Sequence, residues 1–439
     1  MKPQNKTDSE KLNNDPATEG AEEAVKDGQE SAAVSGAENN PQPDGEITES
    51  TDVNTDADDA LEHFGTRTVA PPKKRKFGWV GYVALLIVIG LSVWMMLKIV
   101  MADADEYISF GEVFAAGNWR FGVISFAVLI VIIACICFEY VVVIKATTNK
   151  FALGTGIKVA LLGKFYDNIT PLASGGQPMQ IYYLHKKGYS GGTSTAVVFI
   201  KYFVWMISWL LVSILLMACN TGVLDGVDGA WRTVILVCGW VGLGVNMILP
   251  LTVLMFVVMP KLTRKLASLI VGAGHKIKIV KDKEATLNKA YNIVNDFRSS
   301  FAIMSRRPVL FIVLVLLCLV EVMLNYMLPY FIMRAFSGIT SNEISVLFAV
   351  ASLNTYVTLA VSIIPTPGNT GAMEGIGALA FSVFVTGSVQ FWSMLTWRTG
   401  IYYIYIIIGL GITVFEFIRK IVRRAKQKKK EKTQNETGP

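Results

Sequence analysis

Apolar residues in this chain come in long runs rather than with the short periods of a soluble fold. Residues 79–100 hold one charge, Lys98, in 22 positions. Similar runs fill 121–144, 194–219, 232–259, 309–333, 343–364 and 392–418. A helix rising 1.5 Å per residue needs about 20 apolar residues to cross a hydrocarbon core of ~30 Å. Seven such runs exceed what one soluble core buries, and they predict an all-α polytopic membrane protein. A signal peptide does not account for the first run, because some 78 residues precede it and no suitably placed small-residue cleavage site is present. Residues 260–307 hold no run long enough to cross. Their apolar positions (Leu266, Leu269 and Ile270, then Ile293, Val294 and Phe297) recur at helical spacing and predict amphipathic helices on a membrane surface.

Two apolar segments are broken. Residues 150–192 are interrupted by Asp167-Asn168-Ile169-Thr170-Pro171 and again by Gly175-Gly176-Gln177-Pro178. Residues 363–384 are interrupted at Pro365-Thr366-Pro367-Gly368, and Glu374 follows six residues later. Proline removes a backbone donor, and glycine opens conformations of positive φ. Non-helical backbone at membrane depth survives only inside protein or along a wet cavity. A pair of Gly/Pro-interrupted segments, one in each half, is the pattern of a transport site built from discontinuous helices. Ordinary loops or proline kinks would leave a similar trace.

Charge adds an orientation. The chain is 52% hydrophobic and only 17% charged, well below the quarter usual for globular proteins. Its net charge of +7 is an average over unlike parts. Residues 1–70 carry 17 acidic and five basic side chains and few large apolar ones, which predicts a disordered acidic tail. The remaining body, read as a transmembrane domain over 71–418 with a basic tail at 419–439, carries the positive excess. Lys73, Lys74, Arg75 and Lys76 precede the first run, residues 260–307 hold 11 Lys/Arg against three acidic residues, and 419–432 hold nine more basic residues. The loops 101–119 and 220–231 have acidic residues and no Lys/Arg. The positive-inside rule therefore expects both termini and the 260–307 segment in the cytoplasm. Positive charge so placed meets anionic lipid headgroups, and no nucleic-acid partner is expected. Trp79, Trp119, Trp231 and Trp392 fall at the expected helix ends as interfacial anchors. On this parity the first broken segment enters and leaves on the cytoplasmic side and the second on the opposite side, so the two are expected to form re-entrant hairpins in an inverted repeat.

The chemistry-bearing residues are few. The five cysteines (135, 137, 219, 238 and 318) lie in or at the ends of apolar runs, and the three histidines are scattered at 63, 185 and 275. No HExxH, Walker or dinucleotide-binding pattern occurs, so no metal, cofactor or catalytic residue is expected.

The stretches NITPLASGGQPMQIYYLHKKG and PTPGNTGAMEG resemble the two signature stretches of the lysylphosphatidylglycerol synthase transmembrane-domain family. This is the flippase-like membrane half of the bacterial multiple peptide resistance factor, which also occurs as free-standing proteins. The resemblance covers roughly residues 80–420. It implies about eight transmembrane helices with re-entrant segments, location in the bacterial cytoplasmic membrane, and translocation of a phospholipid, aminoacyl-phospholipid or lipid-linked headgroup. The full-length synthase has an aminoacyltransferase domain after its membrane region. This chain ends about 20 residues after its last apolar run, so that domain is expected to be absent. A lipid-modifying enzyme, or a membrane partner of a separate synthase, are the other readings, and a homo-oligomer is open.

An ionisable group at membrane depth costs about 2.5–3.5 kcal/mol on insertion scales, which makes each one a functional candidate. Asp167, Asn168, Thr170, Pro171, Gly175, Gly176, Gln177, Pro178 and Gln180 surround the first break, where exposed helix ends suit an anionic headgroup. Thr366, Pro367, Gly368 and Glu374 form the second. Arg398 matches an arginine frequent in the family and suits a lipid phosphate, or reaches outward as an interfacial residue. Glu374 is placed to pair with Arg398 or to take part in proton coupling. Glu321, with Asn325 one turn later, is expected to face the bundle interior. Glu139, six residues from Lys145, reads equally as a surface-reaching side chain. Lys164 and Lys201 flank the first break and either attract phosphate or, as each alone suggests, mark the cytoplasmic boundary.

Overall fold

The computed structural model describes residues 109–436 apart from 228, 277–281, 289–290, 292–301 and 342, and in addition residues 90, 94 and 98. By its contacts the chain divides into Met1–Asp52 and Val53–Pro439, and everything described belongs to the second unit. The acidic tail, most of the first apolar run, and Ile293, Val294 and Phe297 lie outside the described residues.

Among the described residues there is no strand. In chain order the principal helices are α1 (Phe110–Ala116), α2 (Trp119–Thr148), α3 (Leu153–Ile169), α4 (Gly176–Lys186), α5 (Gly191–Cys219), α6 (Gly229–Val258), α7 (Pro260–Lys276), α8 (Pro308–Ala335), α9 (Ile344–Val361), α10 (Ala372–Phe381), α11 (Gly387–Arg398) and α12 (Ile404–Glu436). Among the described residues, six stretches are long and apolar enough to cross a membrane: α2, α5, Gly229–Thr252, α8, α9, and Gly387–Glu416 running from α11 into α12. They fall on the six apolar runs that lie within the described region. Their outer faces carry bare apolar side chains, with Phe126 and Ile248 63% and Val309 70% exposed. Helices apolar all round and uncovered by protein belong in lipid.

Local chemistry sets the ends. The Asn118 side chain accepts from the Arg120 N–H to open α2, and Asn149, in the left-handed region at φ 58°, closes it. The acidic loop expected over 101–119 contains α1, whose start is a Ser-x-x-Glu box: Ser109 N–H donates to Glu112 Oε2 at 3.0 Å and Glu112 N–H to Ser109 Oγ at 3.4 Å. Trp119 and Trp231 are exposed at helix starts. Trp392 is not terminal, since α11 begins five residues earlier, and its ring packs on Phe110 at 5.0 Å. Helix α7 leaves Leu269 and Ile270 uncovered, as a helix lying in the interfacial plane would. The basic residues 419–432 of the tail continue α12. Lys, Arg, Gln and Glu are strong helix formers, and extending an existing helix needs no new nucleus.

The packing repeats itself. Thr170 and Thr366, Gly176 at the start of α4 and Ala372 at the start of α10, and Gly191 at the start of α5 and Gly387 at the start of α11 are each separated by the same 196 residues. Contacts follow the same pairing. Helix α3 packs on α2 and α4 as α9 packs on α8 and α10. Likewise α5 packs on α2 and α4 as α11 packs on α8 and α10. Helices α2 and α8, which correspond to each other, form the most extensive helix pair. Each half is thus a pair of helices, a broken turn, a short helix and a long helix, and the halves meet at α2 and α8.

Candidate functional site

The two breaks share one local structure. In the first, Pro171–Ala173 form a single 3-10 turn after extended Thr170, and Leu172 and Ala173 take φ of 53° and 49°. In the second, Pro367–Asn369 form the same turn after extended Thr366, and Gly368 and Asn369 take φ of 57° and 54°. Hydroxyls close both turns, Ser174 Oγ donating to Pro171 O at 2.9 Å and Thr370 Oγ1 to Pro367 O at 2.8 Å. The common sequence is Thr-Pro-x-x-Ser/Thr-Gly. The signal is therefore present in the residues, but only as a spaced pair of hexamers. Leu172 holds a left-handed conformation that costs a non-glycine residue about 1–2 kcal/mol, and it is 60% exposed. Strain of this kind collects at functional turns. The turns pack against each other, and the second also contacts α3.

Each following helix begins on a carboxylate supplied by the chain itself. Gly176 N–H donates to Asp167 Oδ1 at 2.9 Å, and Gly371 N–H donates to Glu374 Oε2 at 2.7 Å. A side chain at Gly176 would occupy the place of the Asp167 carboxylate. The expectation of an exposed helix N-terminus at the first break is thus corrected, because Asp167 holds that position, as Glu374 holds the corresponding one in the second. The first break is further fixed by Thr170, whose hydroxyl donates to Tyr166 O at 2.7 Å and accepts from Gly175 N–H at 2.9 Å. Gln180 is buried, with its amide toward Val159 O at 3.4 Å. Gln177 is half-buried and Pro178 exposed, both on the first turn of α4.

Glu374 and Arg398 meet, as their positions suggested. Arg398 Nε donates to Glu374 Oε1 at 2.8 Å, a terminal nitrogen donates to Gly368 O at 3.2 Å, and the guanidinium lies 4.5 Å from the Tyr402 ring centre. Glu374 is fully buried and Arg398 2% exposed, which removes the reading of Arg398 as an interfacial side chain. A side chain at Gly368 would enter the Tyr402 ring, and its φ is positive besides, so glycine is required there twice over. Tyr402 sits in a π-helical turn, Thr399–Tyr403, that joins α11 to α12. Its carbonyl accepts from Asn168 Nδ2 at 3.2 Å, which ties the first break to the second half of the chain.

A second buried ionic group lies on the first half. Glu139 on α2 is fully buried, and its Oε2 is 3.0 Å from Lys201 Nζ on α5, a residue 6% exposed. Neither is exposed, so the reading of Glu139 as a surface-reaching side chain is corrected. The pair is invisible in the sequence because two residues 62 positions apart carry no local pattern. Glu321 faces inward as expected. Its Oε2 accepts from Trp205 Nε1 at 2.6 Å, and its Oε1 is 3.9 Å from Lys164 Nζ. Asn325 is half-buried and takes no part in these bonds. Farther along α3 and α4, Glu416 of α12 pairs with Lys158 at 3.9 Å and Lys186 at 3.0 Å and so clasps both legs of the first hairpin. A cavity of about 430 Å³ opens beside this clasp, between Phe151–Thr155, Lys158 and Lys187. Among the described residues, no cluster of His, Cys, Asp and Glu suits a metal ion.

No curated protein and no solved structure matches the chain. The sequence does match one protein family over residues 81–409, a span that contains both turns and both ionic groups. The expectation drawn from the two signature stretches is thereby met: the chain is an all-α, multi-pass membrane protein and belongs to the family described as lysylphosphatidylglycerol synthase TM region.

Proposed function

We propose that this chain moves a lipid with an anionic headgroup across the bacterial cytoplasmic membrane, the headgroup passing the two Thr-Pro turns while the tails stay in the bilayer. The observation that carries this reading is the meeting of two strained, non-helical turns from corresponding positions of the two halves. Irregular backbone is stable at membrane depth where it borders a wet path, and Pro171–Ser174 are exposed. The family description points to an aminoacyl-phospholipid, and phosphatidylglycerol or a lipid-linked headgroup offers the same anionic phosphate. On this reading Lys164, with a quarter of its side chain exposed, meets the phosphate, and the Glu374–Arg398 pair holds the second turn in shape. On this reading both termini lie in the cytoplasm, which the parity of basic segments supports.

The test uses the full chain reconstituted into vesicles containing a fluorescent phosphatidylglycerol, with an impermeant quencher reporting movement between leaflets. Wild type is expected to move the lipid, and Glu374→Ala and Arg398→Ala to slow it severely. Equal movement by wild type and both variants would sink the residue assignment, and no movement by wild type would sink the reading itself.

A further inference from the structure

The ionic group around Trp205 leaves no charge to spare. Two cations, Lys164 and Lys201, stand with three carboxylates, Glu139, Glu321 and Asp167. Both ammonium groups lie over the same indole, 5.5 and 5.3 Å from the Trp205 ring centre. Asp167 is one turn beyond Lys164 on α3. The Gly176 N–H at the start of α4 meets the Asp167 charge, so without a headgroup the two lysines balance the two glutamates. An anionic headgroup adds an uncompensated negative charge, which is expensive in such surroundings, and one bound proton removes it.

The bonds decide which carboxylate takes the proton. Asp167 accepts the N–H that opens α4, an arrangement that favours its anion. Glu321 accepts the Trp205 N–H at 2.6 Å and has Lys164 beside it. Glu139 has the Lys201 ammonium near one oxygen, while its Oε1 is buried without a hydrogen-bond partner. The other groups facing it are Glu321 and the Cys318 thiol on α8, Lys164 on α3, Tyr405 on α12, and Tyr140 beside it on α2. Cys135 and Cys137 share its helix, and none of these neighbours supplies a second cation as close as Lys201.

We infer that Glu139 is a proton-carrying site, and that one proton is taken up there for each anionic headgroup engaged at Lys164. The inference rests on the transport reading above. Lys164 is the exposed member of the set, with 26% of its side chain open against 8% for Lys201. A phosphate that pairs with Lys164 draws it from Glu321. Lys201, already over the same indole, is then shared toward Glu321, and Glu139 loses its only close cation. Protonation of Glu139 keeps the charge constant. When the headgroup leaves, Lys164 returns to Glu321, Lys201 to Glu139, and the proton is released. One anion and one proton move together, so the step is electroneutral and needs no nucleotide.

The test pairs lipid movement with proton movement in vesicles of the full chain containing fluorescent phosphatidylglycerol and a trapped pH dye. With one-to-one coupling, a gradient of one pH unit shifts the lipid distribution between leaflets roughly tenfold. Glu139→Gln is expected to lose both the shift and the proton flux, as is Glu139→Gln with Lys201→Met, a pair that removes both charges together should the single variant not fold. Lipid movement by wild type that ignores the pH gradient, or follows a sodium gradient instead, would overturn the inference and leave the transport reading intact. If wild type moves no lipid, infrared difference spectra of the purified protein between pH 5 and 9 decide. A protonated-carboxyl band lost in Glu139→Gln supports the site, and its absence from wild type overturns it.

Discussion

Replacing Glu374 by Gln removes one charge from the most enclosed ion pair of the second turn. Glu374 is fully buried and Arg398 2% exposed, so water cannot compensate for the loss. Breaking a buried pair by neutralising one partner costs about 3–5 kcal/mol. Arg398 keeps the Gly368 carbonyl at 3.2 Å and the Tyr402 ring at 4.5 Å, which places the expected loss toward the lower end, about 3 kcal/mol. Arg398→Met leaves a buried carboxylate that retains the Gly371 N–H, and a similar loss is expected. The double variant leaves no orphaned charge and should fall short of the sum of the singles by about 1–3 kcal/mol. Equilibrium unfolding in mixed micelles, titrated with denaturing detergent, reads all four proteins. Losses below about 1 kcal/mol for both singles, or strict additivity in the double, would refute the claim that the pair holds the second turn.

Gly368→Ala should destabilise by more than about 2 kcal/mol in the same unfolding titration, because a methyl group must both accept φ 57° and displace the Tyr402 ring. Asn168→Ala removes the hydrogen bond that ties the first break to the π-helical turn and should cost about 1 kcal/mol, with a larger effect on lipid movement than on stability. Glu416→Gln should cost less than about 1 kcal/mol and lose even that at high salt, since Lys158, Lys186 and Glu416 are all partly open to solvent.

Much of this architecture is legible in the sequence because apolar runs of membrane length are too long and too many for a soluble core to bury, and the six that fall within the described residues reappear as helices long enough to span. The breaks are legible on similar grounds: proline, glycine and carboxylates together are costly in a membrane helix. Their kinship is harder to see, since the repeat lies in a hexamer with few side-chain types in common and in the 196-residue spacing rather than in overall composition. Glu374 and Arg398 lie close enough along the chain for their pairing to be expected. Glu139 and Lys201 do not, because each sits within reach of basic boundary residues along the sequence and only the packing of α2 on α5 shows that neither reaches a surface. The occupied helix N-termini are hidden by the turn itself. Asp167 precedes Gly176 by nine residues, and only the backbone reversal between them brings its carboxylate back to the start of α4.

The central claim is that a headgroup meets the Thr-Pro turns, and photo-crosslinking tests it most directly. A phosphatidylglycerol bearing a photoreactive headgroup, incorporated into vesicles with the full chain, should label peptides containing Pro171–Gly175 and Thr366–Asn369, and excess unlabelled phosphatidylglycerol should compete. Label confined to outward-facing positions such as Val309 and Phe126, with none on either turn, would contradict the account.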